Sequence, residues 1–466
     1  MKNSSILRLT HNVLVSAFIG LMITILEHHS LLNWLDSISL RMSLSIKQEV
    51  DELVPNFVLS KNASKQAINT AAILINNEAF EGVFNQQSPL NKKTLADLLQ
   101  KISAKSPKVI AVDIDLSPAR NNQDEIFAQN ELDQLLIQLV SQNIGVVLVN
   151  PFPVEDDELR LIKYQWMSKL CRSGVHFAYP NISISQGVAL RYSPDYLSLG
   201  MVSSQVTKNK VLNDPNNICG LVNQGIERAI FLDATFGQLA TQHSVNFSQM
   251  MPVLPNVIRS IFTSAYRWYG DSKDILDSIP SGVVIFLGGE FDPRDNFLTV
   301  QGQVPGVVFH AAVQVTDSLG IKKLSRALAF VFNFILGIIA GYLFNWAWTR
   351  QNQSMLSKLT TDGNYWIKYL KARAWLLINI VILLSWIILL FSFTASLLKA
   401  QLWANPIAMI IGVFIKTMTS SRKGLEEHSF ISRQSDWSKL DAVTLTGDLI
   451  LTAPVIIYGV YLTFLK

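Results

Sequence analysis

The apolar residues of this chain gather into long runs at its two ends and are broken up in between, and that distribution limits what it can fold into. Residues 13–26 form one run, interrupted by Ser16 and Thr24. Beyond residue 325 the runs 327–348, 374–398, 402–418 and 449–465 follow. A helix crossing a bilayer needs about 20 mostly apolar residues. These runs are therefore expected to be transmembrane helices, bounded at 13–32, 326–349, 374–398, 402–418 and 448–465. No small-x-small cleavage pattern follows the first run, which favours an uncleaved anchor over a signal peptide. Trp346, Trp348 and Trp403 stand at run ends, as interfacial aromatics do. The middle, 33–325, has no such run and is expected to form one globular domain. The share of charged residues is 16%, against about 25% in soluble proteins.

Basic residues in the short loops set the direction. Arg350, Lys358, Lys368, Lys371 and Arg373 lie in loop 350–373; Arg422, Lys423, Arg433 and Lys439 lie in loop 419–447. Both loops and the N-terminal residues 1–12 are expected in the cytoplasm, with 33–325 on the other side. A formal charge of +4 without a basic stripe argues against a nucleic-acid partner. Two cysteines exclude a disulfide scaffold and a Cys-rich metal site. Cys171 and Cys219 both fall in the outer domain, where oxidation is permitted; a bridge between them and a pair of free thiols are both open.

Within the middle segment, runs 72–75, 109–114, 145–149 and 283–287 read as buried strands. Residues 90–102 read as a helix with Leu95, Leu98, Leu99 and Ile102 on one face. Segments 132–140 and 255–269 read as further helices. Strands alternating with helices predict an α/β domain with a mostly parallel sheet and flanking helices, beside all-α transmembrane segments.

Three stretches carry a resemblance. The first is the strand 72–75 ending in Asn76-Asn77-Glu78 and leading to Ser88-Pro89-Leu90. The second is 107–118, with Asp113 and Asp115. The third runs from 282–289 through Asp295-Asn296-Phe297 to 304–311. In this order, with one span before and several after, the chain resembles the CHASE2 domain, an extracellular sensory module of bacterial membrane receptors. The resemblance implies a multi-pass protein of a bacterial cytoplasmic membrane with its large domain in the periplasm or extracellular space. It also suits a homodimer. Receptors of this kind mostly carry a cytoplasmic output domain after the last span. Here 419–447 is short and another apolar run follows, so a separate signalling partner is expected.

Local chemistry is sparse. Gly288-Gly289-Glu290-Phe291-Asp292 is one acidic residue short of a diguanylate cyclase signature, and the two glycines read as a tight turn at positive φ. Residues 155–158 are all acidic and read as a solvated loop or a helix N-terminus. Asp113 and Asp115, two apart in a strand, would point to one face, either to bind a cation or polar ligand, or to cap a following helix or pair with a base such as Arg120. His28 and His29 are adjacent and unsuited to share a metal; His243 and His310 stand alone. No catalytic triad order, phosphate loop or zinc spacing is present. No cofactor, no metal and no enzymatic activity are expected. The expected pocket is the C-terminal edge of the sheet, lined by Asn76, Glu78, Asp113, Asp115, Asn150 and Glu290, and would take an unidentified extracytoplasmic ligand. The function expected is a sensor or scaffold anchored in the lipid bilayer that signals through a separate protein. The alternative is a transporter or membrane enzyme acting through the C-terminal helices; the near absence of ionisable residues inside those runs disfavours it.

Overall fold

The structure is a computed structural model. It describes residues 69–320 apart from 120–122, 153, 186–187, 195, 209–216, 226–249, 271–272 and 300, with a few positions beyond residue 320. The chain divides into two compact units, Lys47–Ile321 and a second made of Met1–Ile46 with Lys322–Lys466.

The first unit is built on a six-stranded sheet. Its strands are β1 (Thr70–Ile75), β2 (Val109–Asp113), β3 (Gly145–Val149), β4 (His176–Ala178), β5 (Tyr266–Trp268) and β6 (Val284–Gly289), in the spatial order β4-β3-β2-β6-β1-β5. Every pairing is parallel. The strands read as unbroken apolar runs because both faces are covered. Ile73, Ile110, Val112, Leu148 and Ile285 pack into one core, with α2 (Lys92–Ser103), α3 (Gln123–Ser141) and α4 (Asp157–Arg172). Their strand neighbours Leu74, Val109, Ala111, Val147 and Phe286 pack into a second core, with α5 (Leu199–Thr207), α7 (Pro255–Thr263) and α9 (Gly306–Ser318). Shorter helices are α1 (Asn77–Gly82), α6 (Ile218–Asn223) and α8 (Lys273–Asp277). The hairpin of β7 (Asn296–Thr299) and β8 (Gly302–Pro305) leads directly into α9.

Three crossovers through α2, α3 and α4 carry the chain from β1 towards the β4 edge. The chain then returns across the other face, adds β5 beyond β1, and inserts β6 between β1 and β2. The loops after β1 and β2 therefore enter one helical layer, while the chain leaving β6 enters the other. That divergence falls at the C-terminal ends of the strands beside β6, the usual ligand position in open α/β sheets.

The α/β architecture is as the sequence predicts, and the helix over 90–102 forms with all four of its apolar stripe residues buried. Segment 255–269 differs: α7 stops at Thr263, and Tyr266–Trp268 becomes the edge strand β5, in register with Ile73–Ile75. The open edge of β1 offers main-chain partners to a Tyr-Arg-Trp segment with strand-forming side chains. Cys171, at the end of α4, is bonded to Cys219 of α6, with Cα atoms 5.4 Å apart.

In the second unit, Lys322–Lys323 pairs in parallel with Leu402–Trp403. Residues 402–403, expected at the start of a span, are thus extended, and the rest of that segment lies outside the described residues. Leu328, Val331, Ile335 and Ile339 are helical and between 43% and 50% exposed, and Leu377, Ile378, Val381, Ile388 and Leu389 are helical and between 40% and 66% exposed. The expected spans otherwise lie outside the described residues, as do 1–12, loops 350–373 and 419–447, Arg120 and His243. Among the described residues no helix is long and apolar enough to cross a membrane.

Candidate functional site

All six residues expected at the C-terminal edge lie there, but they do not converge on one spot. Asn76 follows β1 and caps α1, its side chain accepting from the Ala79 N–H at 3.0 Å. Glu78, in the first turn of α1, is exposed. Asn150 follows β3 and is buried, its N–H donating to the Ala178 carbonyl at 2.7 Å. Glu290 follows β6 and accepts two hydrogen bonds from Arg267 of β5, both at 3.0 Å.

Asp113 and Asp115 part company. Strand β2 ends at Asp113, so the alternation that would put both on one face stops between them. Asp115 turns towards β3 and α4. Its carboxylate accepts from the Ser117 N–H at 2.9 Å and the Phe152 N–H at 3.2 Å, and meets Lys163 Nζ at 3.4 Å. Lys92 lies alongside, its Nζ donating to the carbonyls of Ser117 at 3.1 Å and Asp115 at 3.4 Å. Burial lowers the Lys92 ammonium to about 8, partly offset by the nearby Asp115 charge. The role of Asp115 is to brace loops, which is the structural alternative the sequence left open, with Lys163 as its base.

Asp113 shares its side of the sheet with Val109 and Ala111, towards α9. It stands opposite Gly288 in β6. Part of its surface reaches solvent, yet protein surrounds it closely, and burial pushes its carboxyl up to about 7. Asp295, in the short turn between β6 and β7, is its electrostatic neighbour. Burial first, then the charges of Asp113 and Asp292, push Asp295 up to about 8. Burial and mutual repulsion thus both act against full ionisation of the two carboxyls. The bases nearby are committed elsewhere: Arg267 to Glu290, Lys163 to Asp115, and Arg294 to Asp292 at 2.9 Å.

The start of α9 lies against Asp295. A Cβ on Gly306 would sit 2.7 Å from Asp295 Oδ1, so only glycine lets the carboxyl approach the first turn. The N-cap residue is Pro305, which supplies no side-chain hydrogen bond. The first N–H groups of α9 thus lie beside Asp295, where a helix terminus favours negative charge. Gly288 and Gly289 are not in a turn, contrary to the sequence reading; they are the last residues of β6. A Cβ on Gly288 would lie 2.7 Å from Val307 Cβ, so this glycine exists to seat α9 on the sheet. His310, one turn into α9, is buried with Nε2 3.0 Å from the Pro180 carbonyl, and burial lowers it to about 4, so it stays neutral.

Sequence reasoning missed Asp295, Arg267, Lys92 and Lys163. Asp295 had a signal, since it lies within the third stretch of family resemblance. The others are ordinary surface-type residues that the fold draws inward from distant positions. Asp156 caps α4 and Asp157 and Glu158 fill its first turn, so the acidic run 155–158 marks a helix N-terminus as expected. Among the described residues no group of three or more His, Cys, Asp or Glu side chains is placed to hold a metal ion.

A parallel α/β domain with its candidate site beside an inserted strand defines the general class. A family model described as the CHASE2 domain matches residues 18–344, and the chain belongs to that family. CHASE2 domains are sensory extracellular modules. No curated protein and no solved structure matches the chain.

Proposed function

We propose that this chain is an extracytoplasmic sensor anchored in a bacterial cytoplasmic membrane, acting by binding rather than by catalysis and signalling through a separate partner protein. The observation that carries the reading is the Asp113–Asp295 pair, without a paired base among the described residues, beside the start of α9. A small polar ligand bearing amine or hydroxyl donors would complete that site. Occupying it would change the charge next to the last helix before residue 322, and so alter the segment that continues towards the membrane. Family membership supports the sensory role. The exposed apolar helical positions at 328–339 and 377–389, together with the basic loops, support the anchor and its direction.

The test is hydrogen–deuterium exchange on the full chain in lipid nanodiscs, with and without a series of simple diamines and polyols. The expected result is slowed exchange over 295–310 with at least one ligand, lost in Asp113→Asn and Asp295→Asn. A response that persists unchanged in both variants, or none across both series, overturns the site.

A further inference from the structure

A second surface lies at the same end of the domain, on the face of the sheet opposite α9. Ile126 and Phe127, in the first turns of α3, are 45% and 71% exposed; Phe152, between β3 and α4, is 58% exposed, and Leu161 of α4 is 46% exposed. Hydrogen bonds set the start of α3 and the Phe152 loop at one corner. Gln129, one turn beyond Ile126, donates to the Leu116 carbonyl at 3.1 Å. The adjacent Asp115 accepts from the Phe152 N–H at 3.2 Å. Asp133 of α3 accepts from Trp166 Nε1 of α4 at 2.8 Å, tying the two helices together.

The main chain of Phe152 is held on both sides, its N–H by Asp115 and its carbonyl by Lys163 at 3.4 Å. An aromatic ring presented to solvent on a pinned backbone loses little entropy when a partner covers it, the behaviour of interface anchors. Among the described residues the rim is acidic: Glu125, Glu155, Asp157 and Glu158 are exposed, and Arg160, beside them, is paired with Asp157.

We propose that Ile126, Phe127 and Phe152 form a docking surface for a protein partner that presents an apolar segment flanked by Lys or Arg. The rim selects that occupant. A second copy of the chain meeting this face through its own would oppose acid to acid. A bilayer carrying anionic lipids would be repelled by the same rim. The surface is separate from the Asp113–Asp295 pair, and its failure would leave the sensory reading intact.

The test uses the full chain in zwitterionic nanodiscs and a labelled Leu/Lys peptide patterned as a basic amphipathic helix, followed by fluorescence anisotropy. The expected result is binding that weakens with salt and falls roughly tenfold in Phe127→Ser and in Phe152→Ser. Ile184→Ser, at another exposed apolar position (51% exposed), is expected to leave binding unchanged. All three positions are exposed, so unaltered melting temperatures are expected to confirm intact folds. The proposal is overturned if both Phe variants bind like the parent, if Ile184→Ser is equally weakened, or if a Leu/Glu peptide binds as well. It is also overturned if Phe152→Ser abolishes self-association or adsorption to anionic vesicles in place of peptide binding.

Discussion

Helices α4 and α9 flank the same sheet from opposite faces and are held in opposite ways. Helix α4 is fastened by specific bonds along its length. Asp156 caps it, Lys163 reaches Asp115, Lys169 meets Asp133 at 2.8 Å, and Cys171 is bridged to Cys219. Helix α9 is held by burial: every residue from Gly306 to Thr316 is buried. Its far end is tied by Asp317, which meets Lys208 and Ser204, each at 2.6 Å. Its N-cap residue supplies no side-chain bond, and it adjoins two carboxyls that have no paired base among the described residues. A helix held mainly by packing at one end is the one whose position a change of charge can bias, whereas a cross-linked helix serves as the frame.

The bridge offers the largest test of this contrast. Replacing Cys171 and Cys219 together by Ser is expected to cost about 4 kcal/mol on loop-entropy reasoning, for a bridge spanning 48 residues. Urea unfolding of the oxidised parent against the variant measures it; a loss below about 1 kcal/mol would mean α4 does not depend on its staple. Next is Asp115→Ala, expected to cost about 3 kcal/mol because it strands the Lys163 ammonium, whose side chain is 8% exposed. The midpoint of denaturant unfolding reads this out, with Asp115→Asn expected to lose less.

Asp295→Asn should act in the other direction. A carboxyl raised in the folded state stabilises the fold below its unfolded value, near 4, and that stability is lost as pH climbs through the folded value, here about 8. The variant is therefore expected to be more stable than the parent at pH 8 by roughly 2 kcal/mol, discounted for partial exposure, and equal to it near pH 4. Melting curves across that range decide it; a destabilised variant at pH 8 would show that the start of α9 is matched after all. The smallest effect is expected for Glu290→Gln, within about 1 kcal/mol, because its pair is only partly shielded from water, with Arg267 38% exposed. A loss as large as that of Asp115→Ala would erase the distinction between a surface pair and a buried brace.

The helix over 90–102 and the strands were legible because each pattern is local: a stripe every three or four residues, or an apolar run buried on both faces. Segment 255–269 was not, since its last residues join β1, whose open edge is visible only once the sheet is assembled. The candidate residues were legible as a set, because strand ends in a parallel sheet share one edge. Their individual roles were not. Asp115 depends on Lys163 and Phe152, and Glu290 on Arg267, partners that neither spacing nor composition identifies.

By itself, the sequence determined the parallel α/β domain, its apolar flanks and the sheet edge at which the candidate residues lie. Those follow from periodicity and hydrophobic content, which act over a few residues at a time. Only the tertiary structure decided which of two aspartates, two positions apart, would be neutralised by a lysine and which would be left against another carboxyl. Charge is settled by what the fold brings within a few ångströms, and for Asp113 and Asp115 those neighbours come from different ends of the domain.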